Sequence, residues 1–259
     1  MRYQANQDME EPNRSTLTQH ERIRILELLR ESRALILSDA EAFQKAALTL
    51  EHIAQIAGAK VGLGLHKSRT QIVSLIDGEE AENRDAVERL FDLVRKARNM
   101  AVHDGAWVRN MNTRLVDLFL VLEAAIVSRM ERIGDVMVRS PVVAEPWHRL
   151  AHARRAMLSN SFSALPICLD RGELKEWKIL TDEAIVQITR GLPETQRNSR
   201  LSLTIETAVA DADLILKNAS TDREEEKIDK LLSNPIEWPL LVLDERDRLI
   251  GILTPFDLL

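Results

Sequence analysis

The chain has 259 residues, of which 45% are hydrophobic and 29% charged, and its formal net charge is −6. That length fits two domains of roughly 100 to 150 residues, and the apolar share is enough to build cores, so wholesale disorder is excluded. Neither half is basic, which argues against long duplex DNA as a partner. The single cysteine, Cys168, has no internal disulfide partner and sits among Pro166, Ile167 and Leu169 as a buried inert thiol would. No run reaches the ~18 apolar residues of a membrane span, and the polar, acidic N-terminus has no export signal. These features predict a cytoplasmic protein with no membrane association.

Residues 1–15 read as a flexible tail, and a helical domain is expected over 16–132. Apolar residues recur there at helical spacing: Ile23, Leu26 and Leu29; Phe43, Ala47, Leu50 and Ile53; Val87, Phe91 and Val94; Leu115, Leu118, Leu122 and Ile126. Four or five antiparallel helices in a bundle follow. Asp39 is expected to cap the second helix and Gly58 to end it, with a break at Asp77 and Gly78. The next helix should run from about Glu82 to His103, stopped by Asp104 and Gly105, and the last from about Asn112 past Arg129. His66, Lys67 and Arg69 follow Gly62 and Gly64, whose spacing is not that of a phosphate loop, and read as loop.

Late in the fourth helix stand Arg98, Asn99 and His103. Asn99 and His103 are four apart and share a face that the Arg98 side chain can reach. An imidazole beside a guanidinium can move a proton and stabilise charge on a phosphodiester with no metal. The same residues can be structural, with His103 capping its helix C-terminus.

After about Gly134 the pattern changes to alternating strands and helices, predicting a second domain over 133–259. Pro141 to Val143 reads as extended, Trp147 to Met157 as a helix, Ala164 to Leu169 as a strand, and Lys178 to Leu180 as a strand leading into a helix at Thr181. A polar stretch from Thr189 to Arg200 intervenes. The order then repeats, with Leu214 to Leu216 extended, Glu224 to Leu232 helical, and strands at Pro239 to Leu243 and Leu249 to Leu253 joined by a hairpin around Asp244 to Arg248. Two β-α-β-β-α repeats, over about 136–188 and about 201–259, predict a pseudo-symmetric pair with a ligand cleft. The fold class is therefore α+β in two domains. His148 and His152, four apart on a predicted helix, have no third ligand nearby and read as a solvated face rather than a metal site; Arg154 and Arg155 could instead steer phosphates.

Gly251 to Asp257 forms a strand turning into a helix start, with Thr254 as N-cap, Pro255 at the first helical position and Asp257 at the third. A hydroxyl, a carboxylate and backbone amides at such a point suit a ribose and its phosphate, and equally suit a plain helix cap.

Taken with the repeat, Ser163 to Ile167 and Gly251 to Asp257 resemble the cystathionine-β-synthase (CBS) domain family over about Val136 to Leu259. The resemblance implies a tandem pair whose cleft binds an adenine nucleotide (AMP, ADP or ATP) as regulatory ligand, with no metal. Thr254 and Asp257 would hold the ribose, Phe162 and Ser163 would line the adenine and phosphate side, and Ile252 would be a further nucleotide-binding residue. The first repeat departs from the pattern, with Lys178 and Ala184 in the places of glycine and aspartate, which implies one competent site per pair. The helical domain resembles the HEPN superfamily through Arg98, Asn99 and His103. That resemblance implies a homodimer and a metal-independent RNase acting on an RNA substrate under control of the CBS pair. A non-enzymatic sensor, whose helical domain dimerises or binds a partner, is the alternative.

Overall fold

The computed structural model describes residues 17–39, 41–62, 64–76, 81–100, 105–170 and 175–259. Among them are twelve α-helices and two small sheets, an α+β arrangement. Contacts divide the chain into two compact units with the boundary between Met130 and Glu131. No described helix is long and apolar enough to cross a membrane.

In the first unit, helix α1 (Gln19–Ser38) starts at a capping box: the Glu21 amide donates to Thr18 Oγ1 (3.2 Å) and the Thr18 amide to Glu21 Oε2 (2.8 Å). Its apolar stripe of Ile25, Leu26, Leu29 and Ile36 is buried. Helix α2 (Phe43–Ile56) buries Phe43, Ala46, Ala47, Leu50 and Ile53, and the chain leaves it through Gly58 at φ +99. That left-handed value favours glycine. Two short helices follow, α3 (Gly64–Lys67) and α4 (Arg69–Ser74), then α5 (Ala81–Met100) and α6 (Gly105–Val127). Helix α1 packs on α2 and α6, and α5 on α6, around Phe43, Phe91 and Phe119, all fully buried. Arg33 of α1 grips Glu123 of α6 with two hydrogen bonds of 2.8 and 2.9 Å.

Several expectations change here. Asp39 ends α1 instead of starting α2: its amide donates to Leu35 O, while its carboxylate accepts from the Glu41 amide. Residues expected as loop around His66 form α3 and α4, because Leu65, Ile72 and Val73 are buried. The last helix begins at Gly105, not near Asn112, and ends at Val127 rather than continuing beyond Arg129. Gly105 thus opens a helix where a stop was expected. The 1–15 tail, the Asp77 and Gly78 break, and His103 with Asp104 lie outside the described residues.

The second unit starts with α7 (Ile133–Val136), β1 (Val138–Arg139), α8 (Leu150–Asn160), β2 (Ala164–Asp170), β3 (Lys175–Thr181) and α9 (Asp182–Thr189). It continues through α10 (Glu194–Ser202), α11 (Ile205–Asp211), β4 (Lys217–Asn218), β5 (Ser220–Arg223), α12 (Ile228–Leu232), β6 (Leu240–Leu243) and β7 (Leu249–Leu253), and closes in a 3-10 turn at Pro255–Leu258. One sheet has the order β2-β3-β4 and the other β1-β7-β6-β5.

The two repeats exchange their leading strands. From the first repeat, β1 pairs with β7, Val138 opposite Ile252 and Arg139 opposite Gly251. From the second, β4 pairs with β3, Lys217 opposite Ile179 and Asn218 opposite Lys178. The registers correspond position by position, so the pseudo-symmetry expected from the repeat extends to the strand exchange. The extended segments expected at 141–143 and 214–216 therefore lie just beside the actual edge strands. Ala144 makes only an isolated parallel bridge to Ile167. Ile179, Leu241 and Leu243 form a small buried cluster joined by Ala164, Trp177, Leu249 and Ile252, which brings residues of both sheets onto one core.

The second-repeat helix begins at Ile228 instead of Glu224, and β5 was not expected at all. The first-repeat helix begins at Leu150, so His148 lies in the turn before α8 rather than on it. Cys168 is half-buried instead of fully buried.

Candidate functional site

Strand β7 delivers Gly251, Ile252 and Leu253 into the turn at Thr254. Gly251 is demanded by packing: a Cβ there would lie 2.3 Å from Met137 Sδ and 2.9 Å from its Cγ. The Met137 sulfur thus occupies the space a side chain would need, and β1 approaches closely enough to pair. Ile252 is half-buried between Val138 and Leu241.

At the end of β7, the Asp257 carboxylate turns back onto Thr254. Its Oδ2 accepts from the Thr254 amide and from Thr254 Oγ1, each at 2.8 Å, and the Asp257 amide donates to Thr254 O at 3.0 Å. Asp257 is buried, whereas Phe256 beside it is 81% exposed. Pro255 at the first position of the turn has no amide to satisfy.

The first-repeat counterpart is built differently. Thr181 caps α9 with its hydroxyl, accepting from the Ala184 amide at 3.1 Å, and Ala184 is buried where the second repeat has Asp257. Lys178, at the position of Gly251, donates to Asn218 Oδ1 at 2.7 Å and pairs with Glu176. Near it a cavity of about 500 Å³ is lined by Leu216, Lys217, Asn218, Glu237 and Trp238. The helix start at this point in the first repeat therefore forms with alanine at the position of Asp257, and its first turn has a carboxylate elsewhere, Asp182, which accepts from the Glu183 amide at 2.7 Å.

Phe162 and Ser163 stand on the turn between α8 and β2. Ser161 adopts φ +56 to end the helix, Phe162 donates its amide to Met157 O at 2.9 Å, and Ser163 O accepts from the Asp182 amide at 2.9 Å. Both side chains are exposed. Ala164, the next residue, packs on the same cluster as Ile252. The turn and the Thr254 knuckle thus flank one apolar seam. What the sequence did not reveal is the contribution of Met137 and Val138, because β1 is two residues long, with Met137 just before it, and shows no periodicity.

In the helical unit, Arg98 is paired with Glu51 of α2, whose Oε1 also accepts from the Leu65 amide at 3.0 Å. Both Arg98 and Glu51 are partly buried, at 30% and 19% side-chain exposure. The pair joins α5, α2 and the start of α3. Asn99 belongs to the last turn of α5, its side chain lies outside the described residues, and so does His103. Among the described residues no group of three His, Cys, Asp or Glu side chains is placed to hold a metal ion.

No protein-family model matches the chain, and no curated protein sequence matches it. Among solved structures, it is similar to a CBS domain-containing protein of unknown function from Bacillus anthracis, with 22% identity, 49% of this chain and 88% of that one covered, and a TM-score of 0.39. It is also similar to a protein of Methanocaldococcus jannaschii whose name likens it to γ-AMPK, with 24% identity, coverage of 53% and 51%, and a TM-score of 0.38. A third is CBSX2 in complex with AMP, with 18% identity, coverage of 50% and 93%, and a TM-score of 0.37.

Proposed function

We propose that the second unit is a CBS-type pair that senses an adenine nucleotide and regulates the helical unit. The observation that carries this reading is the pair of half-buried Thr254 and buried Asp257, present in one repeat and replaced by Thr181 and Ala184 in its pseudo-symmetric copy. A buried carboxylate at a position that its pseudo-symmetric copy fills with alanine is a candidate for ligand chemistry. A carboxylate accepts hydrogen bonds from ribose hydroxyls, and the Thr254 hydroxyl can donate or accept. Ile252 supplies apolar wall, and the exposed Phe162 ring and Ser163 hydroxyl supply a stacking surface and a polar contact for base and phosphate. In this reading AMP, ADP or ATP is the ligand, no metal takes part, and one site forms per chain. Calorimetry with the three nucleotides tests it: saturable binding at one site supports it, and no heat from any of them contradicts it.

Two roles are open to the helical unit, which in both cases acts as a homodimer. In one it is an RNase in which His103 moves the proton, Arg98 binds the scissile phosphate of an RNA and Asn99 orients them. In the other it is non-enzymatic and serves dimerisation or partner binding. The Arg98 and Glu51 pair favours the second, because a guanidinium that already neutralises a partly buried carboxylate must release it before gripping a phosphate. Incubating RNA with the protein and with His103→Ala separates the two.

A further inference from the structure

A second cluster of chemistry lies away from the Thr254 and Asp257 knuckle, at the first turn of α8. A cavity of about 520 Å³ is lined by Trp147, His148, Arg149, Ala151, His152 and Arg155. Trp147 is 67% exposed and so leaves a ring face accessible to a ligand. The rings form a run: Trp147 meets the edge of His148 with centroids 4.1 Å apart, and His148 lies 4.5 Å from His152. His148 is fixed by the Glu145 amide, which donates to its Nδ1 at 3.0 Å, so the neutral ring carries its proton on Nε2.

Basic side chains surround this run and extend beyond the cavity. Arg149 and Arg155 line it, and Arg154 is exposed beside it on α8. The Leu150 amide donates to Leu203 O at 2.9 Å and Arg149 bridges Thr204, which anchors the end of α10, with Arg200 in its last turn, at the same corner. The backbone also brings Glu145 and Glu206 there, the latter donating its amide to Pro146 O at 3.0 Å. Even so, none of Arg149, Arg154, Arg155 and Arg200 is within ion-pair distance of a described carboxylate. In a protein with a net charge of −6, four arginines without an ion-pair partner among the described carboxylates, around a run of edge-on and tilted rings, are a local concentration of positive charge.

We propose that this corner binds a single-stranded nucleic acid. Exposed aromatic rings stack on any base and arginines track the phosphates, which is the chemistry of sequence-tolerant single-strand binding. The arginines outside the cavity favour a strand over a free mononucleotide, since one phosphate group does not span α8 and α10. The inference is independent of the nucleotide cleft: it uses none of Phe162, Ser163, Ile252, Thr254 or Asp257.

The test is fluorescence anisotropy of a labelled single-stranded oligouridylate of about 15 nucleotides, long enough to cover one such site. The parent should bind it, with a log–log salt slope of about −3, as expected for four arginines on a single strand. Trp147→Ala should weaken binding about tenfold or more, Arg149→Glu combined with Arg155→Glu should abolish it, and Trp147→Phe should restore most of it by keeping a ring. Asp257→Ala should leave strand binding unchanged. Absence of binding by the parent, equal binding by Trp147→Ala and the double arginine variant, or full displacement by excess AMP together with loss in Asp257→Ala, would each overturn the proposal.

Discussion

Thr254 donates to a single oxygen of Asp257 twice, from its amide and from its hydroxyl, each at 2.8 Å, and the carboxylate so engaged is buried. The same turn in the first repeat is held by Thr181 accepting from the Ala184 amide, with alanine in the place of Asp257. Removing the acid should therefore cost only what a capping contact is worth. Asp257→Ala is expected to lower stability by about 1 kcal/mol, read as a shift of the urea midpoint with an unchanged m-value.

Gly251 faces Met137 so closely that any Cβ collides with its sulfur. Gly251→Ala should destabilise the second unit by about 1–3 kcal/mol, as overpacking does. Combining it with Met137→Ala should cost less than the sum of the two single changes, because the shortened side chain vacates the space. Strictly additive losses in urea unfolding would show that β1 does not approach β7 in this way.

Asp244 opens the hairpin between β6 and β7. The Arg248 guanidinium donates to its carboxylate at 2.7 Å, and the Arg248 and Arg246 amides add further hydrogen bonds, which together hold its pKa down to about 2 from 3.8. A carboxylate depressed in the folded state contributes stability that is complete above the unfolded value of about 4 and is lost as pH falls through about 2. Asp244→Asn should therefore be less stable than the parent at neutral pH, and the difference should close between about pH 4 and pH 2. A difference that persists unchanged to about pH 2 would mean that the carboxylate's charge is not what the hairpin uses.

The Arg98 and Glu51 pair should behave as a structural link. A double-mutant cycle with Arg98→Ala and Glu51→Ala is expected to give a coupling of about 0.5–1 kcal/mol, at the upper end for a partly exposed pair. Alongside it, RNA incubated with the parent should stay intact. Cleavage that His103→Ala abolishes would instead give the helical unit an enzymatic role.

The parts of this structure that could be read from the chain are those whose pattern is local. Ala164 to Leu169 and Leu249 to Leu253 are short apolar runs bounded by turns, and Thr181 and Thr254 are recognisable caps, so strands β2, β3, β6 and β7 and the candidate knuckle were legible. Lys178 and Ala184 also betrayed the degenerate copy. The strand exchange was not legible, because β1 and β4 are two residues long and their partners lie more than a hundred residues away for β1 and nearly forty for β4. Helix α10 was hidden because it buries no residue and so has no apolar stripe, and β5 because Ser220 to Arg223 is polar. The Glu51 partner of Arg98 was equally out of reach: nothing local links α2 to α5.

The central claim is that Asp257 holds an adenine nucleotide in the second repeat alone. Its most direct test is calorimetric titration of AMP into the parent and into Asp257→Asn, a variant that keeps the side-chain shape, with thermal unfolding run on both to show that each is folded. One site per chain in the parent and at least tenfold weaker binding in the variant are the predicted results. Equal affinity in the two folded proteins would contradict the assignment of the site.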